Sequence, residues 1–261
     1  MYDFRDLDID RQVHSVDYPT EMVSYGGHWL DKEIEGFRTL ASTGRHGFSR
    51  DVNTTNRTGD GAVYLSSRLE ARKIEVSFYL VANSIKEYND RMRKLKQILA
   101  TPNQSIIFAD DPDNHFTGTV TELSIDDQTL NTTGKIEFSL QDPFSHSVEV
   151  TVSGSGSSIK VSNNAMAYQQ APKHLTFTPS AQVASLTITC GDKKIVLNVG
   201  APAGQPVAID FDTLEVTLNK VLIMESISLD SNIGDFWIKD GATINFNATG
   251  EYEMVYEVKQ L

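Results

Sequence analysis

The sequence predicts a mainly β protein in two parts, an α+β N-terminal domain with one helix on a sheet and a C-terminal antiparallel β-sandwich. Three observations carry that prediction. Ile74, Val76, Phe78 and Leu80 alternate with mostly polar residues, the period-two pattern of a strand with one buried face. Helical periodicity occupies a single stretch, from Ser84 to about Leu99. Beyond residue 145, short apolar runs are separated by turn residues and no helical pattern interrupts them, as in a sandwich.

Taken in order, residues 1–20 are acidic and irregular. The start, Met1-Tyr2-Asp3-Phe4-Arg5-Asp6-Leu7-Asp8, has neither a basic n-region nor an apolar h-region, so synthesis without Sec export is expected. Met22-Val23-Ser24-Tyr25-Gly26-Gly27-His28-Trp29-Leu30 reads as a short hairpin turning on the glycine pair. Trp29, beside Leu30 at the hairpin root, is expected in the core. From Ala41 to Leu69 the apolar pattern weakens and glycine, asparagine and aspartate accumulate around Arg45, Arg50 and Arg57. Such a stretch is too long for a simple connector; it is either a functional arm or a solvated loop.

After the strand at 72–80, Ser84 and Glu87 form a capping box. Ile85, Tyr88, Met92, Leu95, Ile98 and Leu99 fall on one helix face, and Pro102 stops the helix. Six such side chains, at about 1.5–3 kcal/mol each, suffice to hold it on a sheet. Glu87 to Arg91 and Asp90 to Lys94 stand at the i,i+4 spacing that supports the exposed face. The basic residues there, Lys86, Arg91, Arg93, Lys94 and Lys96, either meet an acidic neighbour or are simply solvated. Asp110, Asp111, Pro112, Asp113 and Asn114 read as a turn before the strand at 116–120, since the EF-hand spacing for calcium is missing. A second turn, from Asp126-Asp127-Gln128 to Gly134, leads into a strand at 135–140. Residues 148–152 form a strand with Gly154-Ser155-Gly156-Ser157-Ser158 as its turn. Further strands are expected at 185–190, 194–199, 207–210, 214–218, 243–247 and 252–258, with Asp235 to Phe246 as a last hairpin.

Three blocks in a fixed order carry a family resemblance. They are Ile34-Glu35-Gly36-Phe37-Arg38-Thr39-Leu40 with Ser42-Thr43-Gly44-Arg45; the strand and helix from Arg72 to Leu99; and Ile107-Phe108-Ala109-Asp110-Asp111-Pro112-Asp113 with Gln141-Asp142-Pro143-Phe144. The chain resembles the distal tail proteins (Dit) of siphophages infecting Gram-positive bacteria, over roughly its first 145 residues and beyond them only in style. The resemblance implies residues 1–145 as a ring-forming domain, a β-sheet or split barrel with one helix and a β-hairpin arm. It implies residues 146–261 as a sandwich of galectin or carbohydrate-module type. It further implies a homohexameric hub ring of the virion at the distal tail tip, made in the host cytoplasm. The ring would join the tail tube to a tail-associated lysin or fibre, leave a channel for DNA, and carry receptor-binding proteins on the sandwich. Arg45, Arg50 and Arg57 then lie on an arm directed at the neighbouring subunit.

The remaining chemistry is mostly negative. A net charge of −12 argues against binding nucleic acid or an anionic membrane, and no segment reaches eighteen apolar residues. An acidic channel wall would instead repel passing DNA. Among His14, His28, His46, His115, His146 and His174 no pair has a metal-site spacing, and neither a nucleophile elbow nor a phosphate or dinucleotide loop occurs. No cofactor and no catalytic residue is therefore assigned. Cys190, the single cysteine, reads as a half-buried inert thiol. The competing reading is an adhesion module binding host cell-wall sugars through exposed aromatics, with Trp237, Tyr252 and Tyr256 as its platform, although alternation puts Tyr252, Met254 and Tyr256 on one face, for which core burial is the better explanation. An enzyme would need a carboxylate pair in a cleft, for which the sequence offers nothing.

Overall fold

The computed structural model describes residues 18–126 and 130–261. The irregular acidic start before residue 18, and Asp127 and Gln128 of the expected second turn, lie outside the described residues. The chain divides into two compact units, one running to Pro112 and resuming over Phe116–Pro143, the other formed by Asp113–His115 with Phe144–Leu261.

In the first unit β1 (Val23–Tyr25) turns through Gly26 and Gly27 into β2 (His28–Trp29) and one helical turn, α1 (Leu30–Glu33). Next come β3 (Phe37–Thr43), β4 (Arg50–Asn56), β5 (Ala62–Leu69) and β6 (Arg72–Val81). The helix α2 (Ile85–Leu99), β7 (Gln104–Phe108), β8 (Asp111–Ile125) and β9 (Asn131–Leu140) follow. Seven of these strands make an antiparallel sheet in the order β2-β1-β7-β8-β9-β6-β3, while β4 and β5 pair only with each other. Ile74, Val76, Phe78 and Leu80 of β6 are all at 0% exposure, and they share one core with Met92, Leu95 and Leu99 of α2.

Details of this unit differ from expectation for physical reasons. Ile85 is exposed at the first turn of α2, too near the N-terminus to reach the core that Met92 and Leu95 enter. Ser84 caps the helix by accepting from Glu87 N at 3.2 Å, but Glu87 Oε2 reaches back one residue further, to Asn83 N at 2.9 Å. Arg91 pairs with Glu87 as expected, whereas Asp90 pairs with Arg93 at 2.9 Å and Lys94 donates to the Glu33 carbonyl instead. Trp29 is only half-buried, with the Lys32 ammonium 5.3 Å from its ring centre. The turn after β7 is tighter than its composition suggests: Phe108 pairs with Asp111 across Ala109 and Asp110, so Asp111 to Asn114 already belong to β8.

The second unit begins with β10 (Ser145–Ser147), which pairs Ser147 with Asn114 and His146 with His115. It continues through β11 (Val150–Lys160), β12 (His174–Pro179), β13 (Leu186–Cys190) and β14 (Lys193–Leu197). The remaining strands are β15 (Val207–Asp210), β16 (Glu215–Leu218), β17 (Val221–Leu222), β18 (Thr243–Tyr256) and β19 (Lys259–Gln260). β18 is one long strand: its first half pairs with β13 and its second with β12, while β11 accompanies both halves. In its second half β18 lies so close to β12 that a glycine is needed, because a Cβ at Gly250 would stand 2.3 Å from the Thr178 carbonyl oxygen. The serine and glycine run at 153–158 is strand, not turn, because Tyr252 lies across Gly154, where a Cβ would be 2.7 Å from the tyrosine hydroxyl. Nor do residues 235–246 form a hairpin. Ile233–Asp235 make a 3-10 turn and Ile238 bridges to Gln170 before β18 starts.

Candidate functional site

The site is the arm made by β4 and β5, together with its root. The root is built from the three sequence blocks described above. Asp31 is buried and its carboxylate accepts from Thr39 N at 2.8 Å and Thr39 Oγ1 at 2.6 Å, which fixes the start of β3. Gly36 has φ +75°, and a Cβ there would meet the Val81 carbonyl at 2.5 Å; Gly44 has φ +86° and would meet the Lys73 carbonyl at 2.1 Å. Only glycine fits either position, so both blocks are held against β6 by backbone approach.

Arg45 leaves this block and is buried at 7% exposure. It donates Nη1 and Nη2 to the two oxygens of Asp110, each at 2.9 Å, and its guanidinium lies 4.0 Å from the Phe108 ring centre. Such a bidentate pair is shorter and more directional than an ordinary ion pair. Arg72, where the chain returns, donates Nη1 to the Arg45 carbonyl at 2.9 Å and stands 5.4 Å from the Phe116 ring centre. Burial lowers its pKa, since Nε and Nη2 meet no protein acceptor among the described residues. The departing and returning chains are thus clamped together, with Glu70 N donating to Ser49 O at 3.1 Å just above.

Beyond this clamp nothing among the described residues buries the arm. All of β4 is exposed, as is β5 except for partial cover of Ser67 and Leu69. Phe48, Val52, Val63, Tyr64 and Leu65 are exposed apolar side chains, with Leu65 the extra residue of a bulge opposite Asn53 and Thr54. Arg68 pairs with Asp51 at 3.2 Å, and Tyr64 donates its hydroxyl to Ser67 Oγ at 2.9 Å. Residues 50–69 carry three arginines against two aspartates, opposite in sign to the chain as a whole.

The residues singled out in the sequence therefore separate. Arg50 and Arg57 are exposed on the arm, whereas Arg45 anchors it from inside the fold. Of the aromatic platform, Tyr256 is a core residue at 1% exposure, Tyr252 is partly buried over Gly154, and Trp237 alone is exposed. The partners Asp110, Arg72 and Phe116 carry no mark in the sequence that distinguishes them from turn and strand residues.

The second unit holds a compact charged cluster. Glu257, 13% exposed, accepts from Lys173 Nζ at 2.8 Å and lies 3.4 Å from His146 Nδ1 and 3.9 Å from His115 Nε2. Lys173 also reaches Glu149 at 2.9 Å. Burial disfavours the Lys173 ammonium, yet its hydrogen bonds to the two glutamates outweigh burial and raise its pKa. His115 is shifted the other way: burial lowers its pKa, with Glu257 opposing and His146 and Lys173 adding to the fall. Cys190 has its thiol pKa pushed up by burial and by Asp192. Among the described residues no group of three or more His, Cys, Asp or Glu is placed to hold a metal ion, and no helix is long and apolar enough to cross a membrane.

Two family profiles match the chain in succession. The phage tail protein RIFT-related domain covers residues 32–140, and the siphovirus-type tail component C-terminal domain covers residues 168–259. Among curated proteins none matches the sequence significantly. Among solved structures, the chain is similar to the Dit protein of phage SPP1, a hub adsorption apparatus protein of phages infecting Gram-positive bacteria, with 18% identity and a TM-score of 0.79 over 93% of this chain and 100% of that one. It is also similar to a chain of the phage P2 baseplate in its activated, calcium-bound conformation, with 10% identity and a TM-score of 0.51 over 85% and 90% of the two chains. The clamp and glycines at 36–45 and 72–81 fall inside the first matched segment and the long β18 inside the second, and the chain belongs to the siphophage distal tail protein family.

Proposed function

We propose that this protein closes into a homohexameric hub ring through its arm. The observation that carries the reading is the arm itself: an isolated two-stranded ribbon is marginal in water, and this one exposes four large apolar side chains, with Phe48 exposed just before it. Laid on a neighbouring subunit, those side chains leave water, and the basic arm meets an acidic surface. A contact repeated by a rotation that closes gives a ring without open ends. Residues 1–145 are the ring-forming domain in this reading, and Arg50 and Arg57 are the arm residues that touch the neighbour. Arg45 orients the arm from its root.

The ring joins the tail tube to the tail-associated lysin or fibre and leaves a channel for DNA, whose acidic wall keeps the nucleic acid from adhering. The sandwich, residues 146–261, offers a surface for receptor-binding or other baseplate components. The protein is made in the host cytoplasm and has no catalytic role. Light scattering at low and physiological salt tests the assembly. The expected mass is six subunits or a multiple, falling to one when residues 50–69 are replaced by a short Gly-Ser turn. An arm-deleted protein that keeps the six-subunit mass would overturn the role of the arm, and an intact protein that stays monomeric at every concentration would overturn closure by this chain alone.

A further inference from the structure

We infer that the second unit binds a neutral oligosaccharide in a cleft beside Trp237. The backbone at this point is held rigidly. Phe236 and Ile238 are both core residues at 0% exposure, and Ile238 exchanges two backbone hydrogen bonds with Gln170, at 2.7 and 3.0 Å. With its two neighbours turned inward, Trp237 is turned out, 37% exposed, and its carbonyl accepts from Cys190 Sγ at 3.4 Å. A tryptophan held out by its own backbone is a preformed stacking surface that loses little rotamer freedom on binding.

The cleft it lines has a volume of about 600 Å³, within the range of small-molecule sites. Asp192 comes to it from the turn after β13 and Lys193 from the start of β14, Asp235 and Lys239 from either side of the tryptophan, and Gln169 from the segment before β12. Their chemistry selects the ligand class. The carboxylates accept from sugar hydroxyls, the ammonium groups donate to them, and the glutamine amide does both. Two carboxylates balance two ammonium groups, so the cleft offers no net charge to an ion, and the net charge of −12 on the chain disfavours an anionic ligand further. An apolar sugar face against the indole with hydroxyls directed to these polar groups satisfies every feature present. The inference rests on this cleft and not on ring formation.

Tryptophan fluorescence of the full chain tests it, since Trp29 and Trp237 are the only tryptophans and Trp29→Phe leaves Trp237 as the sole reporter. The probes are glucose, galactose and N-acetylglucosamine, each as the monosaccharide and as oligomers of two to four units, with heparin as the anionic control. A saturable change in Trp237 emission is expected with at least one neutral series, tighter for the trimer than for the monomer. Calorimetry with the best probe should then show at least tenfold weaker binding for Trp237→Ala and several-fold weaker binding for Asp192→Asn. The surface position of Asp192 keeps that variant informative should Trp237→Ala misfold. No response to any neutral series, equal binding by both variants, or a response to heparin alone would each overturn the inference. The mass of the same samples separates failure of the cleft from failure of the ring.

Discussion

β6 and the arm that leads into it are adjacent in sequence and built alike, as antiparallel strands with alternating side chains, yet they meet opposite fates. In β6 every second side chain from Arg72 to Leu80 is buried, because β3 and β9 flank it and α2 completes the core beneath it. In β4 and β5 the alternation buries almost nothing, although Val52, Val63 and Tyr64 have strong strand propensity. Propensity explains why both segments extend. It does not explain where either goes. A strand held by a core is stable in the single chain, whereas a strand that has apolar side chains and no core is a surface reserved for something else.

That contrast can be broken or sharpened by substitution. The largest effect is expected from Phe78→Ala, which empties a fully buried ring from β6 and should cost about 3–5 kcal/mol in denaturant unfolding of the isolated subunit. Tyr64→Ala on the arm should change the same quantity by no more than about 0.5 kcal/mol while reducing the assembled mass. If Tyr64→Ala destabilised the monomer by several kcal/mol, the arm would be packed on its own chain and the comparison would fail. Asp110→Ala is expected to cost less than Phe78→Ala, roughly 2–3 kcal/mol, because it strands the buried Arg45 guanidinium while Asp110 itself is 37% exposed. Hydrogen exchange should show that loss concentrated at residues 45–50 and 69–72, with β9 unaffected.

The smallest effect distinguishes the units by pH. The folded-state pKa of His115 lies below its ordinary value of about 6.5, so as pH falls past that value the unfolded chain binds a proton that the folded chain refuses. The stability contributed by neutral His115 is therefore complete above about pH 6.5 and is lost as pH drops through the lower folded value. Thermal unfolding from pH 8 to pH 5 should show the second unit losing stability over this interval. His115→Gln should flatten the slope, and an unchanged slope would show that other groups set it.

Much of the architecture is legible in the residues. The hairpin at Gly26 and Gly27, the capped helix ending at Leu99, the alternation of β6 and most strands of the sandwich follow from patterns a few residues long. Where reading failed, the deciding partner lay far away in the chain. Composition marked 154–158 as a turn, but Tyr252, nearly a hundred residues later, fills the space above Gly154 and holds the segment as strand. Asp110 looked like turn chemistry and does stand in the turn, yet its carboxylate also closes on Arg45, 65 residues earlier. Ile85 had the right period and the wrong turn of the helix to reach the core.

By itself, then, the sequence determined which segments extend, which one coils and where glycine is tolerated, since these depend on local sterics and on the spacing of apolar side chains. Only the tertiary structure decided that Arg45 faces inward while Arg50 and Arg57 face out, and that of three candidate aromatics Tyr256 belongs to the core and Trp237 to a cleft. Alternation fixes that neighbouring side chains point to opposite faces of a strand. Which face is then covered depends on what packs against it, and that is a property of the whole fold.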